Sequence, residues 1–277
     1  MHQQVCFGPD GREYVFRSAQ PFYYLVTRGP QPGSLDHALK KQALAAGADI
    51  RFGEPIRDPP LGSIVAWGPR RADALAVGYL FTTELADGGF AVLDDHLSPG
   101  GYAYLLVHGG QATLATCLFH DFHNHSLYLR RASGFFHEKL GFSMHNSRYF
   151  SGVGNLYCLP PAIPDRRFWA GEAAGLQDAL WGFGIRYAIL SGRHSAVCSA
   201  GGDDPGLHQG WRRTIGRQVC ASVVNRHLFE HLGKVGYRLL LWRLAQSSNP
   251  HRTLQRIYAS TSWKRALFPI ILRRPRG

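Results

Sequence analysis

Between Arg167 and Val197 the chain passes from an apolar, strand-like stretch, Arg167-Phe168-Trp169-Ala170, straight into Gly171, Ala173, Ala174 and Gly175. It then meets Gly182-x-Gly184 ahead of a run, Ile185 to Val197, whose apolar residues are spaced for a helix. Small residues let a ligand lie against bare backbone. A helix N-terminus aims unpaired N–H groups and a positive dipole at an anion placed before it. Glu172 adds a carboxylate able to accept from sugar-like hydroxyls. A tight structural turn would carry the same glycines, so spacing alone leaves both readings open.

The rest of the chain divides by periodicity. Val5-Cys6-Phe7 and Glu13 to Phe16 flank Gly8-Pro9-Asp10-Gly11 and predict a hairpin over 4–17. A short strand is expected at Tyr23 to Val26. Ser34 then caps a helix from Leu35 to Ala46, with Leu35, Ala38, Leu39, Ala43 and Ala46 on one face. Strands at Asp49 to Phe52 and Ile64 to Trp67 complete an α/β opening. From Val77 the pattern changes: Val77 to Thr82, Phe90 to Leu93, Tyr102 to Val107 and Gln111 to Leu118 are apolar or alternating runs with short turns, which favour an antiparallel sheet. A helix follows over Ser126 to Leu140. Beyond a loop at 201–205 the chain reads as helical, broken at Asn249-Pro250 and at Pro269.

The formal charge of +12 over 277 residues is concentrated at one end. From Trp211 to Gly277 there are fourteen Lys and Arg against one acid, Glu230, and the preceding residues are close to neutral. Such a tail attracts phosphates, whether of lipid, nucleic acid or substrate. Val224, Leu228, Leu232, Val235, Leu239 and Trp242 recur at helical intervals. The stripe is expected to dock on the body with the charges as its solvated side. A peripheral contact with an anionic membrane surface is the second reading. Nucleic acid is a distant third, since no DNA- or RNA-binding signature accompanies the charge. No run approaches the ~18 apolar residues of a membrane span, and the first residues lack the order of a secretory signal. Five scattered cysteines without a CxxC support neither a disulfide frame nor a zinc ribbon. The expected location is the cytoplasm, with a peripheral membrane contact as the alternative.

The segment 171–192 resembles the second flavin-contact motif, Gly-Asp-Ala-Ala-Gly-x-x-x-Pro-x-x-Gly-x-Gly-Ile-x-x-Ala-x-x-Ser-Gly, of the geranylgeranyl reductase family, FAD enzymes with the architecture of p-hydroxybenzoate hydroxylase. The match holds at Gly171, Ala173, Ala174, Gly175, Gly182, Gly184, Ile185, Ala188, Ser191 and Gly192, and departs at Glu172 for Asp and Ala179 for Pro. Trp181 and Phe183 are bulkier than the usual loop residues. The resemblance implies that Glu172 hydrogen-bonds the ribityl chain and that the backbone from Gly182 through Phe183, Gly184 and Ile185 to Arg186 faces the flavin. Arg28, Leu35-Asp36-x-x-Leu39 and Ala45-Ala46-Gly47-Ala48 look like the family's Arg, Phe-Asp-x-x-Leu and Ala-Gly-Ala helix, which implies Arg28 near the flavin. Pro99-Gly100-Gly101-Tyr102-x-Tyr104 looks like the start of the family's substrate-lining strand, with Leu106-Val107 where Phe-Pro is usual. Tyr102 and Tyr104 become pocket residues by that likeness, or remain ordinary strand aromatics.

Such flavoproteins open with a strand, Gly-x-Gly-x-x-Gly and a helix that hold the FAD pyrophosphate. This chain has no such unit; Gly152-Val153-Gly154 lacks the third glycine and follows Phe150-Ser151, which do not read as a strand. The expected fold is therefore mixed α/β and α+β: 1–70 as the remainder of an FAD-binding domain, 71–165 as an antiparallel-sheet substrate domain, 166–205 as the return to the flavin domain, and 206–277 as a basic helical tail. The implied activity is FAD-dependent reduction of carbon–carbon double bonds in a prenyl or other apolar substrate. The alternatives are a flavin monooxygenase on the same fold and a non-catalytic remnant that binds lipid or a partner. A complementing chain or self-association is expected where the missing unit belongs.

Two further constellations weigh less. His120-Asp121-Phe122-His123-Asn124-His125 lacks the one-face spacing of metal ligands and is expected as a surface loop with a helix cap at Asn124. Cys117 and Cys158 fall in apolar runs and are expected as buried packing.

Overall fold

The computed structural model describes residues 1–69, 72–156, 167–201 and 215–273. Its centre is a seven-stranded sheet in the order β2-β1-β5-β6-β7-β4-β8. The strands are β1 (Gln3–Phe7), β2 (Glu13–Arg17), β4 (Ala74–Thr82), β5 (Gly88–Val92), β6 (Tyr102–His108), β7 (Gln111–Leu118) and β8 (His145–Gly154). Neighbours run antiparallel except β1 and β5, which pair in parallel with Val5 opposite Phe90. The hairpin 3–17 thus joins the large sheet. A separate two-stranded parallel sheet joins β3 (Ile64–Val65) to β9 (Phe168–Trp169).

Alternation along the strands builds two cores. On β6, Ala103, Leu105 and Val107 face α2 (His125–Leu140), whose Leu129, Ala132 and Phe136 fall on one helical face. Helix α2 ends at Gly141, left-handed at φ 59°, whose N–H returns to His137 O at 2.9 Å. The opposite face of the sheet, through Cys6, Tyr14, Phe16 and Tyr102, packs against Phe229, Tyr237, Leu241 and Leu244 of α4 (Ile215–Ala245) and against Leu180 and Trp181. Gly101 lies so close to the neighbouring strand that a Cβ there would meet Cys117 O at 1.8 Å.

Outside that sheet, α1 (Leu35–Ala45) starts at Ser34, which accepts from His37 N at 3.1 Å, and buries none of its side chains. Helix α3 (Ile185–Ala200) packs with β3–β9 around Val65, Trp169, Leu176 and Tyr187. The expected strands at 23–26 and 49–52 are absent, because neither finds a ladder partner; Phe22 N and the Met1 amine bond across to Met1 O and Tyr23 O instead.

Three further expectations change. β8 was not foreseen: it is an edge strand with nearly every residue exposed, so its sequence carries little apolar alternation. Gly152 and Gly154 are its last residues. Pro250 opens α5 (Pro250–Ile257) behind an Asn249 cap, but Pro269 sits inside α6 (Ser262–Arg273) and does not break it. The stripe from Val224 to Trp242 does not dock as one face. Val224 is buried, whereas Leu232, before the kink that Gly233 makes in α4 at φ 49° and ψ −138°, and Val235, Leu239 and Trp242 after it are exposed. Cys158 and residues 202–205 lie outside the described residues.

Candidate functional site

β9 delivers the chain into a 3₁₀ turn, Gly171–Ala174, followed by a loop to α3. Gly171, Gly175 and Gly182 stand at φ 59°, 71° and 75°, left-handed values that explain glycine at these three motif positions. Gly171 N donates to Ser191 Oγ at 2.8 Å, and Ser191 Oγ donates to Tyr187 O at 2.7 Å, which ties the strand end to α3. A Cβ on Gly171 would meet Ala188 Cβ at 3.4 Å. Gly171, Ala188 and Ser191 are therefore residues of strand-to-helix packing.

The open part of the motif lies further on. Gly184 occupies the N-cap of α3 and no side chain caps the helix there. Gly182, Phe183 and Ile185 are exposed, and nothing lies within 4 Å of a Cβ placed on Gly182. The first-turn N–H groups of α3 thus end at an accessible strip of backbone with a positive dipole behind it. Phe183 stacks beside Tyr23, ring centroids 6.4 Å apart. Glu172 is half-buried at the other end of the loop, where its Oε1 accepts from Asn155 N at 2.7 Å. Burial pushes its carboxyl upward, against the lowering effect of that bond. Ala173 packs in the core around Trp169 and Leu176, and Gly175 closes the 3₁₀ turn.

Arg28 is placed differently. Its guanidinium is bidentate on Asp36, with Nε–Oδ2 at 2.7 Å and Nη2–Oδ1 at 2.9 Å, at the start of α1. That pair and Gly29 N hold the Asp36 carboxyl at about 2.

Tyr102 is brought to the loop. Its hydroxyl donates to the Trp181 carbonyl and its ring meets the Trp181 ring at 5.4 Å, edge to face. Burial, with Cys117 and Tyr104 beside it, drives the Tyr102 hydroxyl well above its ordinary range. Tyr104 lies 6.0 Å from Tyr102 on the same face of the sheet. Cys117 is in β7, its thiol pushed up to about 12 by burial.

Two residues that sequence reasoning passed over hold the loop in place. Asp178 is buried; its carboxylate accepts from Trp181 N at 3.0 Å, Leu180 N at 3.3 Å and Tyr258 Oη at 2.8 Å. Burial nonetheless raises its pKa. Arg226 is fully buried, 2.8 Å from Glu230, 3.4 Å from Leu180 O through Nη1, and with its guanidinium carbon 3.4 Å over the Phe119 ring. Asp178 is the one acid between Ala173 and Arg193, and Arg226 stands four residues before the one acid of the tail. Those isolations were the available signals.

Elsewhere, Asn124 turns its side chain onto Asp121 at 2.9 Å instead of capping α2. A shallow depression of about 350 Å³ at His2, Gln3, Arg17, Ser18 and Ala19 includes none of these residues.

No protein-family model matches the chain, nor does any curated protein sequence. Solved structures do. A geranylgeranyl bacteriochlorophyll reductase-like protein from Thermoplasma acidophilum superposes at a TM-score of 0.66 and 16% identity, over 99% of this chain and 81% of that one. A triple mutant of a flavin-dependent brominase follows at 0.61 and 12% identity, over 97% and 80%. The fold is that of the FAD-dependent oxidoreductases.

Within an FAD-dependent oxidoreductase fold, the residues present fit one part of the cofactor. The exposed backbone at 182–185, the uncapped start of α3 and the half-buried Glu172 suit the ring and ribityl side. The pyrophosphate has no counterpart here, since the 277 residues contain no Gly-x-Gly-x-x-Gly.

Proposed function

We propose that this chain is the ring-side part of a flavin-dependent oxidoreductase that acts on an apolar, isoprenoid-like substrate. The observation that supports it most is the accessible backbone at Gly182–Ile185, set at the start of α3 and roofed by the sheet through Tyr102 and Trp181. When bound, the flavin supplies hydride transfer to a carbon–carbon double bond. Glu172 orients the ribityl hydroxyls, the first turn of α3 presents N–H donors to the ring edge, and Tyr102 fixes the loop against the sheet. Asp178 and Arg226 are positioning residues for that loop. No residue is assigned as the proton donor.

A further strand–helix–strand unit carrying the pyrophosphate site, from another segment or another chain, is part of this reading. The support is that α1 buries no residue and that Leu39, Leu44, Ile64, Ile189 and Leu190 are exposed on the flavin side.

Fluorescence titration of the purified chain with FAD and with FMN tests the assignment. Similar affinities are expected, because the contacts assigned are to the ring and ribityl chain that both share. Glu172→Ala and Gly184→Leu are expected to weaken both by about tenfold or more. Unchanged affinity in both variants removes the site, and FAD much tighter than FMN places the pyrophosphate on this chain after all. Anaerobic reduction of an isoprenoid, as against substrate-dependent oxygen consumption, separates a reductase from a monooxygenase.

A further inference from the structure

The second half of α4, Lys234 to Ala245, is apolar on two sides. Tyr237, Leu241 and Leu244 are buried against the sheet and against Trp181. Val235, Leu239 and Trp242 repeat the same spacing on the outside and are 73%, 58% and 51% exposed, and Leu232, just before the kink, is 54% exposed. A helix that needs one apolar face to fold has no structural use for the second. The strip begins at Leu232, before the kink at Gly233, and continues past it.

The polar residues of this stretch carry one sign. Lys234, Arg238 and Arg243 are exposed on the same half-helix, which holds no acid. The nearest acids are already engaged, Glu230 by buried Arg226 at 2.8 Å and Asp10 by Arg238 at 3.4 Å. An apolar strip with a Trp, bordered by Lys234 and Arg243, free among the described residues, and by Arg238 paired to Asp10, is complementary to a surface that is apolar beneath and anionic above.

We infer that the second half of α4 docks in the plane of an anionic lipid bilayer. Leu232, Val235, Leu239 and Trp242 enter the boundary between headgroups and acyl chains, while Lys234 and Arg243 meet the lipid phosphates. The half-helix then lies between the bilayer and the loop 178–183, because its inner face packs on Trp181. The inference stands on this helix and does not depend on a flavin.

Flotation of the full chain with vesicles of phosphatidylcholine alone, and of phosphatidylcholine with phosphatidylglycerol, tests it. The protein is expected to float with the mixed vesicles and far less with the neutral ones, and to be released by high salt. Replacing Lys234 and Arg243 by Gln should weaken partitioning by about thirtyfold, at about 1 kcal/mol for each base. Val235→Ser, Leu239→Ser and Trp242→Ser together should abolish flotation while circular dichroism and Tm stay near wild type, since all three side chains are exposed. Failure of the wild type to float with anionic vesicles overturns the inference, as does undiminished flotation of the serine variant. A wild-type dimer that the serine variant turns into a monomer, seen by sedimentation, overturns it in favour of a second copy.

Discussion

The two sides of this molecule are built to different standards. In the sheet side, residues more than a hundred positions apart close two cores, and α2 and α4 cover both faces with fully buried side chains such as Leu105, Leu114 and Phe136. Elsewhere, two strands of two residues each pair in parallel beside α3, and α1 buries none of its side chains. A parallel pair is ordinarily covered on both faces. The contrast separates the part that completes its own core from the part that leaves apolar side chains such as Leu39 and Leu44 exposed. The loop 178–183 falls on the completed side, fastened through Asp178, Tyr102 and Arg226, although its motif resembles a flavin-contact one.

The largest test of that contrast pairs two deletions. Phe136→Ala should cost about 3–5 kcal/mol in urea unfolding, because it empties a closed core. Leu39→Ala, in a residue 46% exposed, should stay within about 0.5 kcal/mol. Equal costs would show that α1 is packed after all.

Asp178→Ala comes next, at about 3 kcal/mol, since Leu180 N, Trp181 N and the Tyr258 hydroxyl lose their acceptor. Its titration has a distinct sign. The folded carboxyl is raised, so over the interval above the ordinary carboxylate range the folded state holds a proton the unfolded chain has released, and stability falls as pH rises. In Asp178→Asn that falling component should vanish; a pH profile parallel to wild type would mean the carboxyl is not buried as described.

The smallest effect has the opposite sign. Asp36 is lowered to about 2 by Arg28, so its contribution is present above about pH 4 and is lost as pH falls toward about 2. The difference between wild type and Asp36→Asn should therefore be slight at neutral pH and disappear on acidification. A difference that grows in acid would refute the pairing.

How much of this was legible in the sequence follows from locality. The hairpin turn, the Ser34 cap, the alternation of β6 and β7 and the glycines of the 171–184 loop are local signals, and all lie where periodicity and turn chemistry put them. What escaped is non-local. The Tyr23 and Asp49 stretches alternate like strands but have no neighbour to pair with, and β8 has a neighbour without the alternation. Arg226 looked like one more base of the tail until its burial against Phe119 was seen. Gly233 falls between two well-formed helical turns, where a single glycine reads as tolerable and turns out to redirect the helix.

The lone parallel pairing in the large sheet also sets an order of events. β1 and β2 form a local hairpin, but Val5 must wait for Phe90 before the pair joins the sheet, whereas β6 and β7 zip through the turn Gly109-Gly110 and β5 joins them across the nine residues 93–101. The meander is thus the natural nucleus, and the hairpin annexes late, after a long loop has been closed. Mutations in β1 should then speed unfolding more than they slow folding, and the seam between Phe7 and Val92 is where this protein begins to open.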